Sequence, residues 1–443
     1  MNNIIIIGGG ASGLFAAINA ANEDNSVTII EANDKMGKKI LSTGNGRCNF
    51  SNLDSLTGKY NCDDNEFIKK IFNAFSNKDI VNTFEKMGLF TTNNNGYLYP
   101  ASMQAASVSD MLISRCRLAG VKFINNTIVT DIHIAEDGGF VIETDNINNN
   151  YHCDKVILAM GTKAGIKDDF CENMTEFLIE HNHTIEKYKP ALCGMEVKKD
   201  KPPIKQFFKN TAGVRWKINA SLYIDNDRIT TESGELQFTN YGLSGIVIFQ
   251  LAAMVSRALE NNRKATVLID FLPEYDINEL VNAVCMQYAY EKKSVYDILM
   301  GIINSKLAME LINIYSYYVD NEVKPFNKNL PKDKLTDMFK FFKKVEFNIN
   351  RTNDFTKAQV CCGGIDVDGI NPYTMESKYI KNLYFTGELI NVDGKCGGYN
   401  LQWAFSSGTV AGRAIVKRNQ ELFKDDRHTM EENDGISERN RRR

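Results

Sequence analysis

The 443-residue sequence predicts an α/β fold in which a parallel sheet is interrupted by a β-rich module and a helical module. Three observations lead to this prediction. A glycine-rich turn joins a strand pattern to a helix pattern near the N-terminus. The middle of the chain changes from short alternating runs to helical periodicity. Glycine-rich segments then return near the C-terminus, which indicates that both chain ends contribute to one domain.

Length and composition limit the classes of protein that need to be considered. A chain of this length should contain two or three domains. Its 43% hydrophobic and 24% charged residues are ordinary for a folded soluble protein, and its net charge of −3 does not favour nucleic-acid binding. We therefore expect a small-molecule substrate and no nucleic-acid partner, and the sequence leaves the oligomeric state open.

The cysteines and apolar runs bear on the compartment and on metal binding. The ten cysteines form no C-x-x-C pair, which indicates a reduced, cytoplasmic protein. No apolar run reaches the roughly 18 residues of a membrane span, so no membrane partner is expected. The close pair His181 and His183 lacks the neighbouring ligands of a zinc site, and no metal is expected.

The first thirty residues predict one complete βαβ unit. Residues 4–7 are a continuous apolar run, as in a strand that is buried on both faces. A G-x-G-x-x-G turn follows, then a helix pattern over 14–21 and a second strand over 26–31. This arrangement is the fingerprint of a dinucleotide-binding fold.

Each position of the fingerprint has a physical role. Gly8 makes the tight turn, Gly10 lets the backbone approach a pyrophosphate, and Gly13 lets the helix touch the strand. The helix N-terminus offers N–H groups and the positive end of its dipole to the phosphates. Glu31, at the end of the second strand, is placed to accept both ribose hydroxyls.

The next region predicts three strands, over 127–136, 139–144 and 151–160, the last followed by Gly161. A three-stranded meander that returns into the parallel sheet is common where the dinucleotide is FAD. Only one G-x-G-x-x-G occurs, whereas a reductase that holds two dinucleotides usually carries a second βαβ unit. The pattern therefore favours a single tightly held FAD and leaves NADH or NADPH open as a transient electron donor.

The rest of the chain predicts the two inserted modules and the return. Residues 212–250 show short β-like runs, and residues 276–345 show helical periodicity. A strand pattern and glycine-rich segments then lead to Gly387 and Glu388, and a helix rich in small residues is predicted over 403–416. The charged tail that follows predicts a poorly ordered end.

Five motifs together resemble a known family. They are "IIIIGGGASGL", "KMGKKILSTGNGRCNFSN", "GELQFTNYGLSG", "VCCGGI" and "TGELINVDGKCGGYNLQWAFSSG". The chain is similar, over roughly residues 1–418, to bacterial FAD/NAD(P)-binding oxidoreductases known under names such as the aminoacetone oxidase family and the 3-dehydro-bile acid Δ4,6-reductase family. The resemblance implies a Rossmann-like, glutathione-reductase-like FAD-binding domain with an inserted β-barrel-like module and a helical module.

The expected domain boundaries follow from this resemblance. Both chain ends build the FAD-binding domain, and the insert lies between them. The expected parts are the first FAD-binding part at 1–188, the β-barrel-like insert at 189–270, the helical insert at 271–340, the return of the β insert at 341–352, the second FAD-binding part at 353–418 and the charged tail at 419–443.

The resemblance also implies where the cofactor lies. The glycine-rich turn would hold the pyrophosphate, Val129 would present its backbone to adenine, Gly387 and Glu388 would lie at the ribityl and phosphate region, and Asn400 and Leu401 at the flavin ring. The complete expected cofactor-binding set is Gly8, Gly10, Ala11, Ser12, Gly13, Glu31, Ala32, Lys38, Lys39, Thr43, Asn45, Gly46, Arg47, Cys48, Asn49, Val129, Gly161, Gly387, Glu388, Asn400 and Leu401.

The stretch "LSTGNGRCNF", residues 41–50, is expected to run beside the pyrophosphate toward the flavin. Its glycines allow close backbone approach, and Arg47 offers a fixed cation to a phosphate or to a substrate anion. Asn45 and Asn49 can hold the turn. The alternative is a turn that only shapes the wall of the site.

The adjacent Cys361 and Cys362 depart from the family pattern, in which a threonine and a small residue usually precede the double glycine. Thiol redox chemistry is one interpretation. However, no feature of the sequence lowers a thiol pKa there, so apolar packing is favoured. Cys48 and Cys396 are expected near the flavin, and none of these cysteines is expected to be a nucleophile.

The resemblance implies an FAD-dependent oxidoreductase that uses NAD(P)H to reduce an activated C=C bond, such as the enone of a steroid or bile acid. An FAD-dependent amine or alcohol oxidase that uses oxygen is one alternative. A non-catalytic, flavin-binding redox sensor is another. No catalytic acid or base is identified, although Tyr399 is near the expected flavin position in the sequence.

Overall fold

The computed structural model describes residues 1–56, 58–146, 150–164, 172–290 and 293–417. The charged tail predicted for 419–443 lies outside these residues. The described residues form two compact units. The first contains the described residues of Met1–Lys163, Asp168–Tyr188 and Cys362–Arg443, and the second contains those of Ala164–Lys167 and Lys189–Cys361. The finer domain boundaries given above stay a prediction.

The strands are β1 Asn2–Ile7, β2 Asn25–Ile30, β3 Ser51–Asn52, β4 Tyr60–Asn61, β5 Thr91–Asn94, β6 Tyr97–Pro100, β7 Lys122–Ile124, β8 Val129–Ile134, β9 Phe140–Thr144, β10 Tyr151–Cys153, β11 Lys155–Leu158, β12 Ile185–Ala191, β13 Met195–Val197, β14 Arg215–Ile224, β15 Asp227–Phe238, β16 Gly242–Ser244, β17 Ala265–Asp270, β18 Val345–Thr352, β19 Val360–Ile365, β20 Leu383–Phe385 and β21 Asp393–Gly394.

The α-helices are α1 Ala11–Ala20, α2 Lys38–Ser42, α3 Asn65–Ala74, α4 Asn77–Lys86, α5 Ala105–Leu118, α6 Glu172–Glu180, α7 Pro202–Thr211, α8 Ile246–Glu260, α9 Ile277–Tyr290, α10 Val295–Leu299, α11 Ser305–Tyr318, α12 Lys332–Phe342 and α13 at 399–417. Short 3-10 helices lie at Thr43–Gly46, Phe355–Lys357, Val367–Gly369 and Gly387–Leu389.

The first unit is built on a parallel sheet with strand order β20-β11-β1-β2-β7. Its central strand β1 pairs in parallel with β2 on one side and β11 on the other. The four isoleucines of β1 are at most 2% exposed, as expected for a strand that is covered on both faces. The βαβ unit predicted from the first thirty residues is therefore confirmed.

The antiparallel meander is also confirmed, with one correction. Strands β8, β9 and β10 form a three-stranded antiparallel sheet. The single strand predicted over 151–160 is in fact two strands, because β10 pairs with β9 whereas β11 pairs with β1. The break falls at Asp154, whose carboxylate accepts a hydrogen bond from the backbone N–H of Asn3 at 2.6 Å. The chain changes sheets at this residue.

The second unit contains a closed six-stranded barrel with strand order β13-β16-β15-β14-β17-β18. Helices α9 to α12 follow β17 and precede β18, in agreement with the helical periodicity predicted over 276–345. The β-like assignment of 212–250 is wrong at its end, because Ile246 begins α8. An apolar run such as "IVIFQ" does not reveal by periodicity whether it is a buried strand or a buried helix.

In the first unit, the helices from the two chain ends touch backbone to backbone. A Cβ atom placed on Gly408 of α13 would lie 2.3 Å from the carbonyl oxygen of Ser12 in α1. A Cβ on Gly412 would lie 2.5 Å from the carbonyl oxygen of Ala16. These glycines let α13 approach α1 more closely than any side chain would permit, and this approach brings the N-terminal and C-terminal segments together.

Replacement of Gly412 by Ala tests this contact through the sign of its effect. Helix propensity alone predicts that alanine stabilises the helix by about 1 kcal/mol. The contact predicts destabilisation by about 1–3 kcal/mol instead, because the backbone of α1 must move. We expect a lower thermal unfolding midpoint, measured by circular dichroism with FAD in excess. A raised midpoint would contradict the close approach.

Candidate cofactor site

The glycine-rich turn between β1 and α1 divides its glycines between two tasks. Gly8 has φ +103°, and a Cβ there would lie 2.5 Å from the carbonyl oxygen of Ala159. A Cβ on Gly13 would lie 2.0 Å from the carbonyl oxygen of Gly8. A Cβ on Gly10 would meet no protein atom within 4 Å. Gly8 and Gly13 are thus required by the fold, whereas Gly10 leaves open space at the N-terminus of α1.

This open space fits a diphosphate. Gly10 precedes the first residue of α1, in an extended conformation with φ −77° and ψ −167°, and its side-chain position faces no neighbour. The first N–H groups of a helix have no partner within the helix, and they favour an anion. Ala11 and Ser12, which follow Gly10, are the first residues of this helix.

Glu31 lies at the end of β2 and is already engaged by the protein. Its Oε2 accepts from the backbone N–H of Gly9 at 2.7 Å. Its Oε1 accepts from the backbone N–H and from the side-chain amide of Asn33, at 2.8 and 2.6 Å. A carboxylate has about four acceptor positions. One position therefore remains, on Oε2, for a ribose hydroxyl, and a second bond requires Asn33 to release Oε1.

Three segments that are distant in sequence meet at Glu388. The Lys39 ammonium donates to its Oε2 at 2.6 Å, and the Thr162 hydroxyl donates to its Oε1 at 2.6 Å. The side chain of Glu388 is 19% exposed and that of Lys39 is 39% exposed. Gly161, next to Thr162, has φ +73° and open space at its side-chain position. This group of residues joins α2, the end of β11 and the 3-10 helix at Gly387–Leu389.

Gly387 connects this group to the glycine-rich turn. A Cβ at this position would lie 2.6 Å from the hydroxyl oxygen of Ser12. The Gly387 N–H donates to the Ser407 hydroxyl at 2.9 Å, and its carbonyl oxygen accepts from the Trp403 indole at 2.8 Å. Two residues of α13 therefore hold the Gly387 peptide against the start of α1.

In the loop of residues 43–49, four residues have a left-handed backbone conformation with positive φ. Gly44, Asn45, Gly46 and Cys48 have φ of +56°, +55°, +79° and +58°. A Cβ on Gly46 would meet nothing within 4 Å, so the loop has an open face there. Arg47 is exposed on the same loop. The loop can therefore present backbone and one cation to a ligand, and its place beside the cofactor stays a prediction.

Asn45 is exposed like Arg47, whereas the side chains of Thr43, Cys48 and Asn49 turn toward the protein. The Thr43 hydroxyl donates to the Ile40 carbonyl at 2.6 Å. With its amide nitrogen turned toward them, Asn49 donates to the carbonyl oxygens of Leu98 at 3.1 Å and Ser51 at 2.9 Å. Cys48 is fully buried, and burial raises the pKa of its thiol to about 11. Cys48 therefore stays protonated near neutral pH, the form in which a thiol is a poor nucleophile.

The turn before α13 is held by the Asn400 side chain. Its Oδ1 accepts from the N–H of Gly394 at 2.8 Å, and its Nδ2 donates to the carbonyl of Gly394 at 2.7 Å. The Tyr60 hydroxyl donates to the Tyr399 carbonyl at 2.8 Å. The side chain of Asn400 is thus occupied within the protein, and what it and Leu401 can offer to a cofactor is backbone at the first turn of α13.

The remaining predicted residues, Val129, Ala32 and Lys38, lie in segments next to Glu31. The N–H of Thr127, two residues before Val129, donates to the carbonyl of Glu31 at 3.1 Å, so the start of β8 adjoins the end of β2. Ala32 is half-buried beside Glu31. Lys38 pairs with Asp34 at 3.3 Å on the exposed side of the segment. A cofactor-binding role for Lys38 stays a prediction.

Sequence reasoning missed Thr162, Asn33 and Tyr60. Thr162 and Asn33 bond the carboxylates of Glu388 and Glu31, and Tyr60 bonds the carbonyl of Tyr399, the residue before Asn400. None of the three belongs to a motif with a fixed spacing. Burial also raises the pKa of Cys396 to about 12, so it stays protonated at neutral pH, and Cys361 and Cys362 are buried.

Among the described residues, no three histidines, cysteines or acids are grouped to hold a metal. Within the same residues, no helix combines the length and the apolar character that a membrane span requires.

A family model described as the HI0933-like protein Rossmann domain matches residues 2–414. The chain belongs to the HI0933-like family. It is 36% identical over 427 residues to the 3-dehydro-bile acid delta(4,6)-reductase of Clostridium scindens, covering 94% of this chain and 100% of the relative. Membership of the HI0933-like family and the fingerprint make the chain an FAD-dependent oxidoreductase.

Two further relatives of this chain carry another name. The ribosomal RNA dihydrouridine synthase of Haemophilus influenzae is 28% identical over 419 residues, covering 94% of this chain and 98% of the relative. The protein of the same name from Escherichia coli is 26% identical over 416 residues, covering 93% of this chain and 97% of the relative.

A pair of glycine variants tests the diphosphate site. Gly10→Ala should leave the thermal midpoint of the FAD-free protein unchanged, because its Cβ meets no protein atom. It should weaken FAD binding at least about tenfold, a loss of about 1.4 kcal/mol. Gly13→Ala should weaken FAD binding and should also lower the thermal midpoint of the FAD-free protein, because its Cβ meets the Gly8 carbonyl. Unchanged FAD affinity in Gly10→Ala, measured by flavin fluorescence titration, would contradict this site.

Lys39→Met tests the group around Glu388. Without its cation, the partly buried carboxylate would face a bound diphosphate unscreened, so we expect about tenfold weaker FAD binding. The deficit should shrink as salt is added. The control is Lys35→Met, which removes an exposed charge from the same segment. Equal FAD affinities for the two variants would show that the pair does not help to hold the cofactor.

Proposed function

We propose that this protein reduces a C=C bond conjugated to a carbonyl, in a flat apolar substrate of the steroid or bile-acid class, with NADH or NADPH as electron donor. The observation that carries the proposal is the 36% identity to the 3-dehydro-bile acid delta(4,6)-reductase over that relative's whole length. The similarity spans both compact units rather than the nucleotide fingerprint alone.

The other relatives support the same bond chemistry on a different substrate. Conversion of uridine to dihydrouridine adds two hydrogens across the C5=C6 bond, which is conjugated to the C4 carbonyl. The bile-acid reductase name and the dihydrouridine synthase name therefore both describe reduction of an α,β-unsaturated carbonyl. Reduction of uridine in RNA is the second candidate function, favoured by the two relatives at 28% and 26% identity.

The described residues suggest how the chain would support such a reduction. FAD, when bound, supplies the centre that takes up and gives up hydride. The first turn of α13 would favour negative charge near Asn400 and Leu401 through its N–H groups and its dipole. The carbon next to the carbonyl must also receive a proton. Tyr399, in the same first turn, is the candidate donor. Burial, with Asp54 and Tyr97 nearby, raises its pKa to about 12 and keeps its hydroxyl protonated at neutral pH.

The test is an anaerobic spectrum of the purified protein before and after NADH or NADPH is added. We expect loss of the oxidised-flavin absorption, followed by its recovery when a 3-oxo-Δ4 or 3-oxo-Δ4,6 steroid is added. A steroid with the same rings but a saturated A ring is the matched control and should give no recovery. Recovery with a uridine-containing ribosomal RNA fragment instead would favour the second candidate.

Two results would overturn the proposal. A flavin that neither nucleotide reduces, but that an amine or alcohol reduces, together with oxygen consumption and peroxide formation, would indicate an oxidase. A flavin that no donor or acceptor turns over would indicate a redox sensor.

A further inference from the structure

We propose that Gln402 is a positioning residue that fixes the first turn of α13 against β3 and thereby tunes the reduction potential of the bound FAD. This inference rests on the proposed placement of that first turn at the flavin ring. Gln402 lies in one of the five motifs but outside the expected cofactor-binding set, and its side chain contacts other side chains of the protein rather than solvent.

Gln402 and its two side-chain partners are completely buried. Gln402, Ser51 and Ser406 are each 0% exposed. A buried amide or hydroxyl costs free energy unless its hydrogen-bonding groups are paired. An apolar residue would fill the same volume without that cost, so the choice of a glutamine calls for an explanation in its contacts.

Those contacts form one directed chain of hydrogen bonds. The Ser51 hydroxyl donates to Gln402 Oε1 at 2.5 Å. Gln402 Nε2 donates to the Ser406 hydroxyl oxygen at 3.0 Å, and that hydroxyl donates to the Phe75 carbonyl at 2.8 Å. The chain joins β3, the C-terminal end of α3 and α13. The amide of Gln402 is its central link, because it accepts on one side and donates on the other.

Ser51 also holds the residue that precedes this turn. A Cβ on Gly398 would lie 2.6 Å from the carbonyl oxygen of Ser51, so the two backbones are in contact. The N–H of Gln402 donates to the Gly398 carbonyl at 3.0 Å, which makes this the first turn of the helix. The turn is therefore fixed to Ser51 at both ends, by backbone contact at Gly398 and by a side-chain bond at Gln402.

The consequence concerns the N–H groups that lie between these two points. Residues 399–401 lie in the first turn, where N–H groups have no partner inside the helix. The effect of a helix terminus on a nearby charge falls off within one turn, so it depends on where that turn lies. Release of the turn from β3 would weaken the preference for the reduced, negatively charged cofactor over the oxidised one.

Gln402→Leu and Ser51→Ala test the link from its two sides, and the measured quantity is the midpoint potential of bound FAD. We expect each variant to favour the reduced over the oxidised cofactor about tenfold less than the wild type does. For a two-electron couple, this lowers the midpoint potential by about 30 mV. The double variant should show no more than the larger single effect, because both changes break one chain. The visible absorption maximum of the bound flavin should shift in the same variants.

Thr409→Val is the matched control. Thr409 is also fully buried in α13, but its hydroxyl donates at 2.8 Å to the Phe405 carbonyl of its own helix. This variant should lower the thermal midpoint and leave the potential and spectrum at wild-type values. A merely structural role for Gln402 would give that same result in Gln402→Leu.

Wild-type potentials and spectra in FAD-bound Gln402→Leu and Ser51→Ala would overturn the inference. Ser51→Ala removes only one hydroxyl, and it decides the question if Gln402→Leu does not fold. The potential is measured against a redox dye with a chemical reductant, without NAD(P)H or an enone. A wild-type protein that reduces no enone would therefore refute the proposed function while leaving the effect on the potential intact.

Discussion

The approach of α13 to α1 without intervening side chains is the constraint on which the site depends. Gly408 and Gly412 face the carbonyl oxygens of Ser12 and Ala16 at distances that leave no room for a Cβ. Because these helices come from opposite ends of the chain, their contact brings Gly387 to Ser12 and so places the C-terminal segment beside the glycine-rich turn. A larger residue at either glycine would separate them.

Polar side chains then fix the details that this contact leaves free. Trp403 and Ser407 hold the Gly387 peptide, Asn400 holds the Gly394 peptide, and Gln402 reaches Ser51. In each case a side chain of α13 bonds a segment outside the helix. Hydrogen bonds are directional and lose strength quickly with distance. They therefore set positions more sharply than apolar packing would, which suits a site that must present backbone groups to a cofactor.

Local patterns predicted much of the fold. The unit β1-α1-β2 and the meander follow from periodicity and turn residues within short windows. Prediction failed where the deciding neighbour lies far along the chain. The strand predicted over 151–160 breaks at Asp154, where the carboxylate accepts from the N–H of Asn3. The error after Gly245 is of another kind, because the apolar run that begins α8 also fits a strand. The pairing of Lys39 with Glu388 spans 349 positions and has no sequence signature.

The sequence by itself determined the type of fold and the class of cofactor, because a G-x-G-x-x-G turn between a strand and a helix carries its geometry within a few residues. It also predicted the separate tasks of Gly8, Gly10 and Gly13. Only the tertiary structure decided what Gly387, Gly408 and Gly412 face, because each lies against an atom of α1 that leaves no room for a Cβ. A glycine looks the same in a sequence whether a neighbouring backbone or a bound molecule occupies the place of its side chain, and only the surrounding atoms distinguish the two.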